Sequence, residues 1–301
     1  MKKRIILAFV RFMAKAHVLS PIWIARLRFF YILHRWPDFE HPKDINEKIN
    51  WLKFYGDTSQ WSTLADKYAV RQYIESIGQG DILVKLYGKW DRAEDIDWGS
   101  LPERFVMKGN AGSGDVVICR NKNELDKEKV TKYFQSIMGK SFGDVSGESH
   151  YAQIKPCIIA EELLDASTQP CGSTSLVDYK IWCFDGKPKY IWCCYNREKY
   201  HANVGLYDMD WNYHPEWSVF TSHYVEASAL IPKPACFDKM MDIAAKLSAG
   251  FPQVRIDLYE VNGHVCFGEY TFSSQGGYMD FYTKEFLEQM GRDTKLPCDK
   301  D

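Results

Sequence analysis

A chain of 301 residues with 46% hydrophobic and 26% charged residues can bury a large core, which excludes a disordered or membrane-embedded protein. The formal net charge of −2 gives no overall signature of nucleic-acid binding. The nine cysteines are odd in number, and Cys119, Cys157, Cys183 and Cys266 sit in apolar strand-like runs, so the expectation is free buried thiols and a cytoplasmic chain rather than a disulfide framework.

The charge is unevenly spread. Lys2, Lys3, Arg4, Arg11, Lys15, Arg26, Arg28 and Arg35 all precede the first acid, Asp38, and alternate with Ile, Leu, Phe and Trp. The stretches Ile5 to Lys15 and Pro21 to His34 are expected to be helices with apolar and basic faces. They suit either a layer packed on the main domain or the inner face of an anionic membrane. The apolar run Ile5 to Val10 is too short to span a bilayer, and no small-residue cleavage site follows it, so no signal peptide is expected.

Farther along, Ile45 to Tyr55 is predicted as a short helix. Gln60 to Ile77 carries apolar residues at helical spacing and ends at Gly78 and Gly80. Ile82 to Trp90, Arg104 to Lys108 and Val116 to Cys119 are predicted strands, the last two joined by the loop Gly109 to Gly114. Glu124 to Met138 is a lysine-rich helix, and Gly139 to Ser149 is a candidate lid. Cys157 to Leu164 is an apolar strand. Val177 to Phe184 with Lys187 to Tyr195 makes a hairpin around Asp185-Gly186. After a helix at Ala235 to Ala249, Val254 to Glu260 and His264 to Thr271 pair around Asn262-Gly263. Hairpins mixed with helices argue for an α+β fold with antiparallel sheets.

Four clusters carry candidate chemistry. Pairing of the last two strands brings Asp257 and Glu269 together, and adjacent carboxylates repel unless a cation relieves them, which suits magnesium. Lys108 ends a strand beside the glycine-bearing loop with Gly112, Ser113 and Gly114, whose backbone N–H groups can approach phosphate oxygens. Glu161, Glu162 and Leu163 close an apolar strand. Lys180 faces away from Tyr179 and Ile181 on its own strand, either into a cleft or into water.

Taken in order, these clusters resemble ATP-grasp enzymes, and more closely the TupA-like ATP-grasp family of bacterial surface-polysaccharide loci. The phrases that carry the resemblance are Ile45-Asn46-Glu47-Lys48-Ile49, Leu64-Ala65-Asp66-Lys67-Tyr68-Ala69-Val70-Arg71, Asp178-Tyr179-Lys180 and Phe251-Pro252-Gln253-Val254-Arg255-Ile256-Asp257-Leu258-Tyr259. They cover roughly residues 40 to 275. The resemblance implies an ATP-grasp fold, two antiparallel-sheet and helix subdomains clasping a nucleotide. The implied division is a basic segment at 1–40, a helical part at 41–100, the ATP-grasp domain at 101–290 and a tail at 291–301.

The same resemblance implies that Lys67, Lys108 and the Gly112–Ser113–Gly114 loop bind ATP phosphates. Glu161, Glu162 and Leu163 would line the adenine pocket. Lys180 and Arg255 would face the terminal phosphate and the acyl phosphate, with magnesium on Asp257 and Glu269. Thr271 stands where many of these enzymes carry Asn, which bears on a second metal ion. The implied partners are a carboxylate, such as a uronic acid or amino acid, and an amine acceptor, with no nucleic acid. Two other classes fit parts of the sequence. A nucleotide-sugar glycosyltransferase would use Asp95-Ile96-Asp97 or Asp208-Met209-Asp210, and a sugar phosphotransferase would share the nucleotide site.

Overall fold

The structure, a computed structural model, describes residues 19–112, 114–139, 147–198 and 200–297. In chain order its helices are α1 (Pro21–Leu33), α2 (Ile45–Tyr55), α3 (Trp61–Ala65), α4 (Ala69–Ser76), α5 (Lys127–Met138), α6 (Phe237–Ser248) and α7 (Lys284–Asp293). The strands are β1 (Leu86–Trp90), β2 (Phe105–Gly109), β3 (Val116–Cys119), β4 (Ile158–Glu162), β5 (Asp178–Phe184), β6 (Lys187–Tyr195), β7 (Ala202–Tyr207), β8 (Tyr224–Glu226), β9 (Gln253–Val261) and β10 (His264–Thr271). The expected helix from Ile5 to Lys15, the basic residues Lys2 to Lys15, Ser113 and most of the candidate lid lie outside the described residues.

The chain forms two compact units. One holds the described parts of 59–142 and 150–165, the other those of 1–58, 143–149 and 166–301. The first unit is built on an antiparallel sheet in the order β1-β4-β2-β3. Alternation sends Phe105, Met107, Ile158 and Ala160 to a core that includes Val130 and Phe134 of α5. The expected single helix over Gln60 to Ile77 is two helices. The break falls at Asp66-Lys67, where the Asp66 carboxylate accepts the N–H groups of Tyr68 (2.8 Å) and Ala69 (3.2 Å) and so starts α4.

The second unit carries a six-stranded sheet, β10-β9-β5-β6-β7-β8, antiparallel except for the β7–β8 pair. Both expected hairpins are present. Asp185 and Gly186 have φ of 49° and 73°, and Asn262 and Gly263 have 51° and 75°, the paired left-handed conformations that a two-residue hairpin turn demands. The phrase Ile45-Asn46-Glu47-Lys48-Ile49 acts here as a structural staple in α2. Asp44 and Glu47 form a reciprocal N-terminal cap on which Arg35 sits. Asn46 trades two hydrogen bonds with the backbone of Met279 (2.9 and 2.8 Å), and Lys48 donates to the Thr294 carbonyl at 2.7 Å. Every polar side chain in this phrase is buried, which is tolerable only because each is satisfied.

Within that unit α1 packs Ala25 and Phe29 on Phe39 and Tyr278. Arg26, Arg28 and Arg35 lie over aromatic rings, so the described part of the basic start is a packed layer. No described helix is long and apolar enough to cross a membrane. Trp192, Trp211 and Trp217 stack on Phe281, Tyr207 and Phe286 at centroid distances of 4.7, 4.5 and 4.5 Å.

Both acid pairs that favoured a glycosyltransferase are turn-forming. Asp97 accepts the N–H groups of Gly99 (2.9 Å) and Ser100 (3.3 Å). Asp208 accepts those of Asp210 (3.0 Å) and Asn212 (2.8 Å) and also meets His214 Nε2 at 3.2 Å. The other ring nitrogen of His214 lies 2.7 Å from Glu216. Burial pulls the imidazolium pKa down, but Glu216 and Asp208 outweigh it and raise the pKa above 6.5. A raised histidine pKa gives stability that is complete below the unfolded value and lost as pH climbs through the folded one. The stability deficit of His214→Gln should therefore shrink as the pH rises above about 6.5, read by urea unfolding, and an NMR titration of the ring should show the raised pKa directly.

Candidate active site

In the four-stranded unit, the residues expected at phosphates converge on the Gly109–Gly114 turn. Lys67 donates its main-chain N–H to the Asn110 carbonyl at 2.9 Å, and its Nζ to the Gly112 carbonyl at 2.5 Å. Asn110 is buried and fixes the turn from the other side. Its side chain accepts the Cys157 N–H at 2.7 Å and donates to the Lys155 carbonyl at 3.0 Å. Gly112 and Gly114 adopt φ of +73° and +89°, a conformation that explains glycine at these two positions.

Lys108 stands at the end of β2, opposite Ile159 of β4 and Val116 of β3. Its Nζ donates to Glu161 Oε2 at 2.8 Å. The second oxygen of Glu161 receives Arg71 NH1 at 3.0 Å, and Arg71 NH2 reaches the Val84 carbonyl at 2.7 Å. Glu161 therefore stands as a buried carboxylate shared by two cations. Glu162 is exposed and holds the Lys85 carbonyl through its main-chain N–H at 2.9 Å, while Leu163 follows β4 partly buried. Sequence reasoning quoted Arg71 in a phrase but gave it no part. Its place in the same phrase as Lys67, in the first turn of α4, was the available signal.

In the six-stranded unit, three neighbouring strands place Lys180, Asp257 and Glu269 in register, so their side chains share one face of the sheet. Arg255 lies two residues before Asp257 on β9, opposite Thr271. Its Nε and NH2 donate to the two Asp257 oxygens at 2.7 and 2.8 Å, NH2 also to Thr271 Oγ1 at 3.0 Å, and NH1 to Ser274 Oγ at 2.9 Å. Lys180 Nζ donates to Asp257 and meets Asp178 at 2.6 Å. Glu269 lies 3.6 Å from Arg255. The repulsion that pointed to magnesium is thus relieved by the protein's own cations.

Burial acts against the Asp257 carboxylate, yet Arg255 and Lys180 hold its pKa down at about 2. Burial likewise acts against the Lys180 ammonium, and Asp178 with Asp257 raises it despite that. Asp178, pushed up by burial, was missed as a site residue. One of its oxygens faces Lys180 and Arg197 (3.2 Å), and the other has no hydrogen-bond partner among the described residues.

The donor set fits magnesium. Asp257 and Glu269 are hard oxygen donors side by side, and Asp257 Oδ1 accepts the Arg255 Nε–H at 2.7 Å with a lone pair remaining. No cluster of three or more metal-binding side chains occurs among the described residues, and magnesium needs none, because it is commonly held by one or two carboxylates plus phosphate oxygens and water.

Comparison with solved structures gives weak likenesses. D-alanine–D-alanine ligase from Bacillus anthracis complexed with ATP is 13% identical, with a TM-score of 0.41 over 70% of this chain and 55% of that one. Another structure of the Bacillus anthracis ligase is 14% identical, with a TM-score of 0.46 over 79% and 69%. The ATP-grasp ligase PsnB complexed with a minimal precursor is 13% identical, with a TM-score of 0.39 over 82% and 60%. This chain thus spans only 55 to 69% of the length of these ligases. No curated protein matches the sequence. The model of one family, described as TupA-like ATPgrasp, matches residues 47–295, which takes in both sheets and every lysine, arginine and carboxylate of the two clusters. The α+β chain therefore has the ATP-grasp fold and belongs to the TupA-like ATP-grasp family.

Proposed function

We propose that this chain is an ATP- and magnesium-dependent ligase that activates a carboxylate as an acyl phosphate and transfers the acyl group to an amine, forming a carbon–nitrogen bond. The observation that carries the reading is the buried group of Lys180, Arg255 and Asp257, with Glu269 in register beside it. A scaffold gains little from burying so many charges, whereas phosphoryl transfer needs charge-compensating groups held in advance of the reaction.

In the four-stranded unit, Lys67 and Lys108 hold the ATP phosphates, the loop of Gly112, Ser113 and Gly114 offers backbone N–H groups, and Glu161, Glu162 and Leu163 border the adenine. In the six-stranded unit, Asp257 and Glu269 are the magnesium ligands. Bound there, the ion supplies charge neutralisation on the phosphoryl oxygens. Lys180 and Arg255 face the terminal phosphate as the substrate carboxylate oxygen attacks phosphorus and ADP leaves. Arg255, fixed by Ser274 and Thr271, then steadies the acyl phosphate while the amine nitrogen attacks its carbonyl carbon and inorganic phosphate departs.

The substrates fitting the family's polysaccharide setting are a uronic acid or amino acid as carboxyl donor and an amino acid or amino alcohol as acceptor. The cytoplasm, at the inner face of the membrane reached by the basic residues Lys2 to Lys15, completes the reading. The test is magnesium-dependent ADP release across a panel of uronic acids, amino acids and amines. ADP that forms only with a carboxylate and an amine together establishes the ligase. Cleavage of a nucleotide sugar without ADP, or phosphate transferred to a sugar hydroxyl, overturns it.

A further inference from the structure

We propose that Arg71 is a positioning residue for the nucleotide: its standing pair with Glu161 is what allows Lys108 to leave that carboxylate and turn to the phosphates of a nucleoside triphosphate. The inference rests on the reading of Lys108 as a phosphate ligand, and deepens it.

Three side chains set the geometry. Glu161 gives one oxygen to Lys108 at 2.8 Å and the other to Arg71 at 3.0 Å. Their side-chain exposures are 9% for Glu161, 13% for Arg71 and 30% for Lys108, so Lys108 is the member with room to move. Arg71 is held by a second anchor. Its NH2 donates to the Val84 carbonyl at 2.7 Å, just ahead of β1, where Leu86 stands in register with Glu161. A planar guanidinium can fork between a carboxylate and a carbonyl in this way, and an ammonium on a flexible stem cannot hold the same two-point geometry.

Consider what phosphate binding asks of Lys108. If its ammonium moves to a phosphate oxygen, it breaks its ion pair with Glu161. With Arg71 in place, the buried carboxylate still has a cation within 3.0 Å and stays ionised. Without Arg71, the same movement leaves a buried carboxylate with no cation, which is strongly unfavourable, and Lys108 stays where it is. Arg71 would therefore affect ligands that carry phosphates and leave the adenosine part untouched.

Calorimetric titration of the full chain with ATP and with adenosine tests this. Arg71→Met should weaken ATP binding about tenfold or more and leave adenosine within about twofold. In an Glu161→Gln background, where no charge is stranded, adding Arg71→Met should change ATP affinity by no more than about twofold. Equal weakening of ATP and adenosine, or no weakening of either, would overturn the proposal. So would an unchanged Arg71→Met effect in the Glu161→Gln background. If Arg71→Met does not fold, Arg71→Lys takes its place, with an ATP-selective loss supporting the proposal and a loss shared with adenosine overturning it. A wild-type chain that binds no ATP at all fails a different statement, the assignment of the nucleotide site itself.

Discussion

Asp257→Asn should lower magnesium-dependent ADP release about 100- to 1000-fold while leaving the chain folded. Asparagine has nearly the same shape as aspartate, but it loses the charge at the centre of the cluster. Arg255 then keeps Thr271 and Ser274, with Glu269 at 3.6 Å, and Lys180 keeps Asp178 at 2.6 Å. Neither cation is stranded, so the loss of stability should be about 2 kcal/mol, the range for hydrogen bonds to a charged group. The loss of turnover is larger, because the variant has one carboxylate fewer for magnesium and its guanidinium is no longer gripped at two points. Steady-state ADP release alongside urea unfolding reads both quantities. A variant that turns over ATP within tenfold of the wild type would remove Asp257 from the metal site.

Much of this arrangement is legible in the sequence, for reasons that can be stated for particular residues. Asp185-Gly186 and Asn262-Gly263 announce their hairpins because few other residues accept two successive left-handed conformations. Once the second hairpin is placed, Asp257 and Glu269 must be near one another, and the observed register sets them directly opposite. The pairing of β5 with β9 is different in kind. Lys180 and Asp257 are 77 residues apart, and nothing local says that these two strands are neighbours. The Lys180 partner of Asp257 is therefore a property of sheet order, whereas Arg255, two residues earlier on the same strand, is a local one.

The same limit explains Arg71 and Asp178. Each sits in a phrase whose neighbours carry the recognisable chemistry; Arg71 acquires Glu161 and the Val84 carbonyl only through packing, while Asp178 has Lys180 two residues on along one face of β5 and gains Arg197 from the neighbouring strand's end. The expected helix over Gln60 to Ile77 fails at Asp66-Lys67 because a side chain that caps the following turn competes with helix continuation. Strands β7 and β8 were not expected at all. The first contains a glycine and the second is three residues long, so neither has enough alternation to register as a pattern, and their parallel pairing is fixed by the connection between them.

Lys180→Met separates stability from turnover in the opposite direction. Lys180 is buried between Asp178 and Asp257, and its ammonium is the nearest cation to Asp178. Methionine fills a similar space but removes that charge. Asp257 would retain Arg255, while Asp178 would be left with Arg197 at 3.2 Å on one oxygen and an unpartnered second oxygen. Removing one member of a buried ion pair costs about 3–5 kcal/mol, so this variant should unfold at markedly lower urea than Asp257→Asn. The penalty belongs to the buried Asp178 carboxylate, which keeps one of its two cations, and the second substitution Asp178→Asn should recover part of it, a non-additivity of about 1–3 kcal/mol that a double-mutant cycle measures. Purely additive costs would mean that Asp178 and Lys180 do not share a charge balance. Recovery of stability without recovery of ADP release would instead place Lys180 in both tasks, as the buried counterion of Asp178 and as the cation that meets the terminal phosphate.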